Sequence, residues 1–383
     1  MLFIYPPMVI LSALGVIKLI ETLAKQKYLQ WGVYALVAIG LAFPLKHIIA
    51  NHPHEYVYFN SLAGGVKGAY GDYEMDYFYH SQKAAADWLI QNRIKDAQIM
   101  DGKKIVVGMY LAVPYYFRDY KDKVKVKYIK YSNRGAEDWD YYIMPSSFVP
   151  QHQLKNDLWP PVNTIHTIDV DGKPICAIYE RENRHDLKGS RLLMSAKSLG
   201  SIDSAIVQFK LALKADPNYD FAQMQLTNCY RVLFNYYSDM LKERLENIKP
   251  YVGKPGYEIA HNNIVNSFKP MIDKYRDSTL QACDRALMLY PDRMDALNLK
   301  AEFMFQKGDI QEAIRIQKKN AEINPNGRAN AYMEIVKYYY QLNDLSNALV
   351  YAKKLKSLFP KDEYYKKLVS DLTEAQKQSG YVR

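Results

Sequence analysis

The sequence predicts a mixed chain: two transmembrane helices, a small α/β domain, and an all-α solenoid built from helical hairpins. Three observations carry that prediction. Two long apolar stretches without charge open the chain, and short apolar runs bounded by Gly and charge fill the region from about 80 to 182. Beyond residue 188, prolines recur at intervals of 33, 41, 34 and 35 residues. The expected divisions are 1–50 for two helices with a cytoplasmic connector, 51–79 for a membrane-exit segment, 80–182 for the α/β unit and 188–377 for the repeats. An irregular insertion is expected near 235–275. At 383 residues the chain is long enough for several units.

Met1 to Ile17 contains no charged residue, and a second uncharged stretch runs from Tyr28 to Leu45. Both sit at the short end of what spans a hydrocarbon core. A signal peptide, the rival for the first stretch, needs a positive n-region and a small-residue cleavage site, and the sequence shows neither. Lys18, Lys25 and Lys27 lie between the stretches, and only Lys46 closely follows the second. The positive-inside rule then puts the connector in the cytoplasm and everything after the second span outside. Tyr28 and Trp31 suit the interface at the start of that span. Pro6 and Pro7 are expected inside the first span, where a kink needs neighbouring helices to cover it. The start therefore reads as the truncated end of something larger.

Net charge is +10 with a pI near 9.1. Basic residues alternate with acids through the repeats instead of gathering on one helix, which argues against a nucleic-acid partner. Anionic lipid is the simpler partner for a basic chain beside a membrane. Cys176, Cys229 and Cys283 are widely spaced and odd in number, so neither a Cys-only zinc site nor a disulfide framework is expected. No cofactor is expected.

In the middle region, Ser81 to Ile90 reads as an amphipathic helix with Ser81 as N-cap. Lys104–Met109 is a buried strand, and the alternation from Val124 to Tyr131 a half-exposed one. Tyr141–Met144, Thr164–Val170 and Ile175–Tyr179 supply the rest, with Asp171-Gly172 as the hairpin turn between the last two. One or two helices on about five strands result.

Three features there could carry chemistry. GGVKGAYG, Gly64 to Gly71, offers backbone N–H groups to a phosphate, although it lacks GK[ST] and follows no strand; a flexible turn is the simpler reading. Asp72, Glu74 and Asp76 alternate beside the membrane as a solvated turn or an acceptor contact. Lys123, Lys125 and Lys127 share one face of a strand, where they protect an edge or attract lipid phosphate. His52, His54 and Glu55 are weighed as a metal pair and set aside, because Pro53 intervenes. No GxSxG, HExxH or GxGxxG pattern is present, so no catalytic constellation is assigned.

The repeats follow from periodicity. Pro217, Pro250, Pro291, Pro325 and Pro360 close successive units, near the 34-residue period of tetratricopeptide repeats. Ala205, Phe209 and Ala212 before Pro217 fit second-helix positions, and 313–325 and 348–360 repeat the offsets. Gly308-Asp309 and Asn343-Asp344 fill turns between paired helices, where a left-handed or capping residue is needed. Lys366–Gln376 is the expected capping helix. Such an array presents a concave surface to a protein or peptide. Of the Tyr338-Tyr339-Tyr340 cluster, most rings are expected in the core.

Residues 1–16 and 52–78 also carry a family resemblance. MLFIYPPMVILSALGV, with Tyr5-Pro6-Pro7, and HPHEYVYFNSLAGGVKGAYGDYEMDYF resemble the late membrane segment and exit of family 39-type glycosyltransferases. These are polytopic enzymes that use polyprenyl-phosphate sugars. The matches include Tyr58, Phe59 and the pairs His52-Pro53, Gly64-Gly65 and Asp76-Tyr77; Ser81, Ala85 and Trp88 continue the pattern. His54 stands where the family usually has Tyr, and Phe78 where it has Trp. The resemblance implies substrate-binding roles for His52, Tyr56, Asn60, Gly64, Gly65, Asp76 and Tyr77, and a polyprenyl-phosphate sugar as partner. It also implies a bacterial inner membrane, with the α/β unit and repeats on the periplasmic side. The loop that carries the family's catalytic carboxylate has no counterpart here, so this chain alone is expected to be inactive. Two functions follow: the C-terminal portion of a sugar transferase with a protein-binding repeat domain, or a non-catalytic, membrane-anchored repeat scaffold for envelope assembly.

Overall fold

The structure, a computed structural model, describes residues 5–99, 102–111 and 113–381. Helix α1 (Tyr5–Thr22) turns through residues 23–26 into α2 (Lys27–Asn51), and Gln30 donates its side-chain amide to the Ile20 carbonyl at 3.0 Å. The first four residues of the predicted first span lie outside the described residues. Pro6 and Pro7 lie in the first described turn of α1. Among the described residues one helix, α2, is long and apolar enough to cross a membrane. It runs 25 residues, about 37 Å at 1.5 Å per residue, well past the predicted end at Leu45. Its side chains are exposed along nearly its whole length, and only His47 and Asn51 are buried.

The α/β unit is a five-stranded mixed sheet: β1 (Ile105–Met109), β2 (Val124–Tyr128), β3 (Tyr141–Pro145), β4 (Thr164–Val170) and β5 (Lys173–Glu180), in the order β2-β1-β3-β5-β4. Strand β1 pairs in parallel with β2 and β3; β5 runs antiparallel to β3 and β4. Both faces are covered, and the side-chain alternation shows how. Val107, Met109, Ile143, Cys176 and Ile178 point to one face, packed under α4 (His80–Leu89) with Ala85, Ala86 and Leu89. Tyr142, Met144, Ile175, Ala177 and Tyr179 point to the other. There the segment after α2 supplies the cover: Val57, then Val66 and Ala69 of α3 (Gly65–Ala69), then Tyr70 and Met75. Leu154 of the short α5 (Gln151–Lys155) and Trp159 join them. The exit segment is thus part of the domain's core, on one face of the sheet. Asp171 and Gly172 take φ of +49° and +77°, as a two-residue hairpin turn requires.

Ser81 is not the cap of α4. The helix starts one residue earlier, at His80, and the fully buried Ser81 hydroxyl turns inward to Asp76. Strand β2 is an edge strand, as the lysine row implied, but the row is mostly spent inside the domain. Lys123 donates to the carbonyls of Lys95 and Ala97 at 2.7 and 2.9 Å, and Lys127 pairs with Glu137.

Hairpins of α-helices follow: α6 (His185–Met194) with α7 (Leu199–Ala215), α8 (Asp220–Ile248) with α9 (Tyr257–Leu289), α10 (Met294–Lys307) with α11 (Ile310–Ile323), and α12 (Arg328–Gln341) with α13 (Leu345–Leu358). Helix α14 (Glu363–Tyr381) closes the end, burying Leu372 against the α12–α13 core. Pro217, Pro291, Pro325 and Pro360 each stand two residues past the end of α7, α9, α11 and α13. Buried Ala205, Ala212, Ala313 and Ala348 let paired helices approach. Asp309 and Asp344 cap α11 and α13 by accepting from the N–H of Glu312 and Asn347, after Gly308 and Asn343 at positive φ.

Pro250 breaks this pattern. It does not close a repeat but sits in the 3-10 turn Lys249–Tyr251, between α8 and α9. Those helices have 29 and 33 residues, twice the 14 of α10 or α11. The extra length near 235–275 is helical instead of irregular: one hairpin prolonged outward, with α9 continuing through Pro270. Only the inner ends are buried, through Phe234 on α8 and from Tyr275 on α9. A seam of half-buried Met271 and Ile272, with Tyr237 stacked on Tyr275, joins the arm to the core.

Candidate functional site

The residues singled out after α2 divide into three groups. Asp76 is fully buried, and its two carboxylate oxygens accept from the Tyr56 and Ser81 hydroxyls. Burial, the hydrogen bond to Asp76 and its charge all push the Tyr56 hydroxyl far above its ordinary pKa, so it stays a donor. Asn60, Gly64 and Gly65 build a turn. The Asn60 side chain accepts from the Ala63 N–H at 3.1 Å and its carbonyl from Gly65 at 3.0 Å. Gly68 then passes so close that a Cβ would meet the Ala63 carbonyl oxygen at 2.5 Å. The N–H groups of Gly64, Gly65 and Gly68 donate to Ser61, Asn60 and Gly64 carbonyls. Those three amides hold an ordered turn together and are not themselves free for a phosphate. His52 and Tyr77 are exposed. Asp72, the first of the alternating acids, pairs with Lys155.

His54 is buried beside this cluster with its Nδ1 unpartnered. Burial holds its pKa below the usual imidazole value, against the opposing pull of Asp76. No group of three or more His, Cys, Asp or Glu side chains is placed to share a metal among the described residues.

A second constellation, which the sequence did not announce, joins the sheet to the repeats. Arg134, after β2, reaches Asp220 at the first turn of α8 at 2.5 Å, with both side chains only 6% exposed. Arg293 approaches the same carboxylate at 3.2 Å. Burial pushes Asp220 up, and the two guanidinium groups more than offset it, leaving the carboxyl below its ordinary range. Arg181 pairs with Asp186 at 2.7 Å while lying over the Trp139 ring, and the Tyr219 hydroxyl donates to the same carboxylate. A small cavity of about 100 Å³ beside these groups is lined by Arg134, Trp139, Arg181 and Tyr219. Its charges are already paired with one another, so the arrangement fastens two units together.

The third constellation is a groove of about 380 Å³ between α10 and α12. Asn298, Glu302 and Gln306 stand at i, i+4 and i+8 on α10, facing Asn330, Glu334 and Lys337 on α12. Between them Phe305 stacks on Tyr338, with centroids 4.6 Å apart, and Lys337 lies over the Phe305 ring at 5.4 Å. Gln317 and Asn320 of α11 are buried at its base. Asn320 donates its side-chain amide to the Asn298 Oδ1 at 2.6 Å, and its own Oδ1 has no partner. Tyr338 and Tyr339 are buried, while Tyr340 is exposed. Amides that donate and accept at once, over an aromatic floor, match the groups of an extended peptide backbone.

No protein-family model matches the sequence, and no curated protein matches it. Solved tetratricopeptide-repeat proteins match the helical half. A thermophilic TPR protein of Thermus thermophilus is 18% identical over 48% of this chain and 97% of its own, with a TM-score of 0.26. YrrB, a TPR protein with an unusual peptide-binding site, is 18% identical over 51% of this chain and 94% of its own, with a TM-score of 0.25. MamA from Desulfovibrio magneticus is 13% identical over 47% and 95%, with a TM-score of 0.25. The paired helices, their small-residue contacts and the closing prolines define the C-terminal half as a tetratricopeptide-type array.

Proposed function

We propose that this chain is a membrane-anchored scaffold whose repeat array holds an extended protein segment in the α10–α12 groove. The observation that carries the reading is the facing pair of polar stripes over the Phe305–Tyr338 stack. Acids and a lysine in the same groove favour a peptide of mixed charge over a purely acidic or basic one. α1 and α2 form the anchor, α2 crossing the bilayer, and the lysines between them stay on the cytoplasmic side. In this reading the sheet and the repeats face the periplasm from a bacterial inner membrane, with lipid and protein as partners.

The test is binding of a panel of fluorescent extended peptides to the full chain in detergent. Losing two groove amides in Asn298→Ala/Asn330→Ala removes roughly 1–2 kcal/mol and weakens a bound peptide about tenfold. Unchanged affinity in that variant would move the ligand elsewhere, and no binding across the panel would end the reading.

A second reading keeps the family 39-type resemblance. In it the segment from His52 to Tyr77 borders a polyprenyl-phosphate-sugar site whose catalytic carboxylate lies in another part of the enzyme. The observation that favours it is the place of the segment, directly at the end of α2. Transfer of radiolabelled sugar from a polyprenyl-phosphate donor, with the chain alone and joined to any upstream coding sequence, separates the two readings.

A further inference from the structure

The end of α2 and the sheet domain meet without a spacer. On one side of its last two turns, His47 and Asn51 are buried against the domain. The His47 Nδ1 lies 3.0 Å from the Asp171 carboxylate, and Asn51 donates to that carboxylate at 2.8 Å and accepts from the Asp171 N–H at 3.0 Å. On the other side of the same turns Ile48 and Ile49 are 46% and 72% exposed. The apolar face of the helix therefore runs to the depth at which the domain already touches it.

The domain surface at that depth is unusual for a water-facing one. The Tyr58 ring packs edge-on against His47, with centroids 5.1 Å apart, and remains exposed. Four residues on, Leu62 is 96% exposed. It stands at the tip of the turn that Asn60 caps and that the close Gly68–Ala63 approach fixes, so its exposure comes from an ordered backbone. Lys67 of α3 comes beside the Asp171-Gly172 turn, its Cε 4.0 Å from where a Gly172 Cβ would stand. Lys46, one residue before His47, is also exposed. Aromatic and aliphatic tips ringed by lysines are the pattern that seats in a headgroup layer, the apolar groups among acyl chains and the cations on phosphate.

We infer that this face of the sheet domain rests in the lipid headgroup layer of the leaflet from which α2 emerges, with Leu62 inserted and Lys46 and Lys67 on lipid phosphates. The inference rests on the reading of α2 as a membrane span. Its consequence is mechanical: the domain is held at α2 and also along its underside, so it cannot swing about the helix end. The repeat array is thereby given a set direction relative to the membrane.

The test uses the full chain reconstituted in phosphatidylglycerol–phosphatidylethanolamine vesicles, with an environment-sensitive fluorophore on one introduced cysteine. The three native cysteines are free and buried. Three variants are compared, Leu62→Cys, Leu36→Cys within α2 and Val350→Cys on the far repeats, with quenching by spin-labelled lipid as the readout. Quenching at 62 and 36 but not at 350 is expected, and it should weaken at 62 alone when Lys46→Glu/Lys67→Glu is added or phosphatidylglycerol is left out. Quenching at 36 without quenching at 62 overturns the seated face and leaves the anchor intact. Absence of quenching at both positions removes the anchor, and the seated face with it.

Discussion

The sheet domain is joined to its neighbours at two places, and the two joints are built differently. Toward the repeats, the buried ion pairs of Arg134, Asp220 and Arg293 and of Arg181 and Asp186 are roofed by Trp139, Tyr131 and Tyr219. Toward α2, the joint is a single half-exposed carboxylate, Asp171, shared by His47 and Asn51. A buried charge with two cationic partners costs most when one partner is removed, because the rest stay desolvated. A half-exposed hydrogen bond loses little, because water takes its place. The repeats are thus firmly joined to the sheet, whereas α2 is held to it by one solvent-accessible carboxylate.

Removing Asp220 tests the strong joint most severely. Asp220→Ala leaves Arg134 and Arg293 buried without a counter-charge and should cost about 3–5 kcal/mol, read as a lower urea midpoint. Gly135→Ala attacks the same joint sterically. Its Cβ would meet the Phe221 ring at 2.2 Å, and Phe221 is buried, so a loss of about 1–3 kcal/mol is expected on the same curves. At the other joint, Asp171→Ala should cost only about 1 kcal/mol, with faster amide exchange confined to the end of α2 and the 171–172 turn. If Asp171→Ala proved as costly as Asp220→Ala, the contrast between the joints would fail.

Acid should loosen the molecule in two stages. His54 has a folded pKa below its unfolded value of about 6.5. The unfolded state therefore binds more protons, and stability falls as pH drops below about 6.5 through the folded value. Asp76, His80, Glu55 and His52 surround that ring and act on its charge. Asp220, also depressed, contributes stability that is whole above about pH 4 and is lost only as pH falls through its lower folded value. His166, also depressed by burial, shares the first stage, so replacing His54 with Gln should shrink that stage and leave the second, as followed by unfolding midpoints across pH.

Local chemistry made much of this architecture legible. The Asp171-Gly172 turn, the closing prolines and the Gly308-Asp309 and Asn343-Asp344 caps are decided by residues within a few positions of one another. Pro250 shows where local reading runs out. A proline after a helix looks alike whether it closes a repeat or turns a long hairpin, and only the packing partner of α9 distinguishes the two. Ser81 misled in the same way: a serine before an apolar run is a fair N-cap, but the buried Asp76 claimed its hydroxyl. The groove had a trace in the sequence, since Asn298, Glu302 and Gln306 recur at helical spacing. Their partners on α12 could be chosen only once the two helices lay side by side.

The sequence alone determined the kinds of element and their order: an apolar helix, a mixed set of strands, then hairpins of helices with small residues at their contacts. Periodicity and turn chemistry act over a few residues, so the chain itself displays them. Tertiary structure alone decided which distant charges meet. Arg134 and Asp220 are 86 positions apart, and Asn51 and Asp171 are 120. No local pattern records such a pairing, because the energy of a buried ion pair depends on solvent being excluded by residues from every neighbouring element.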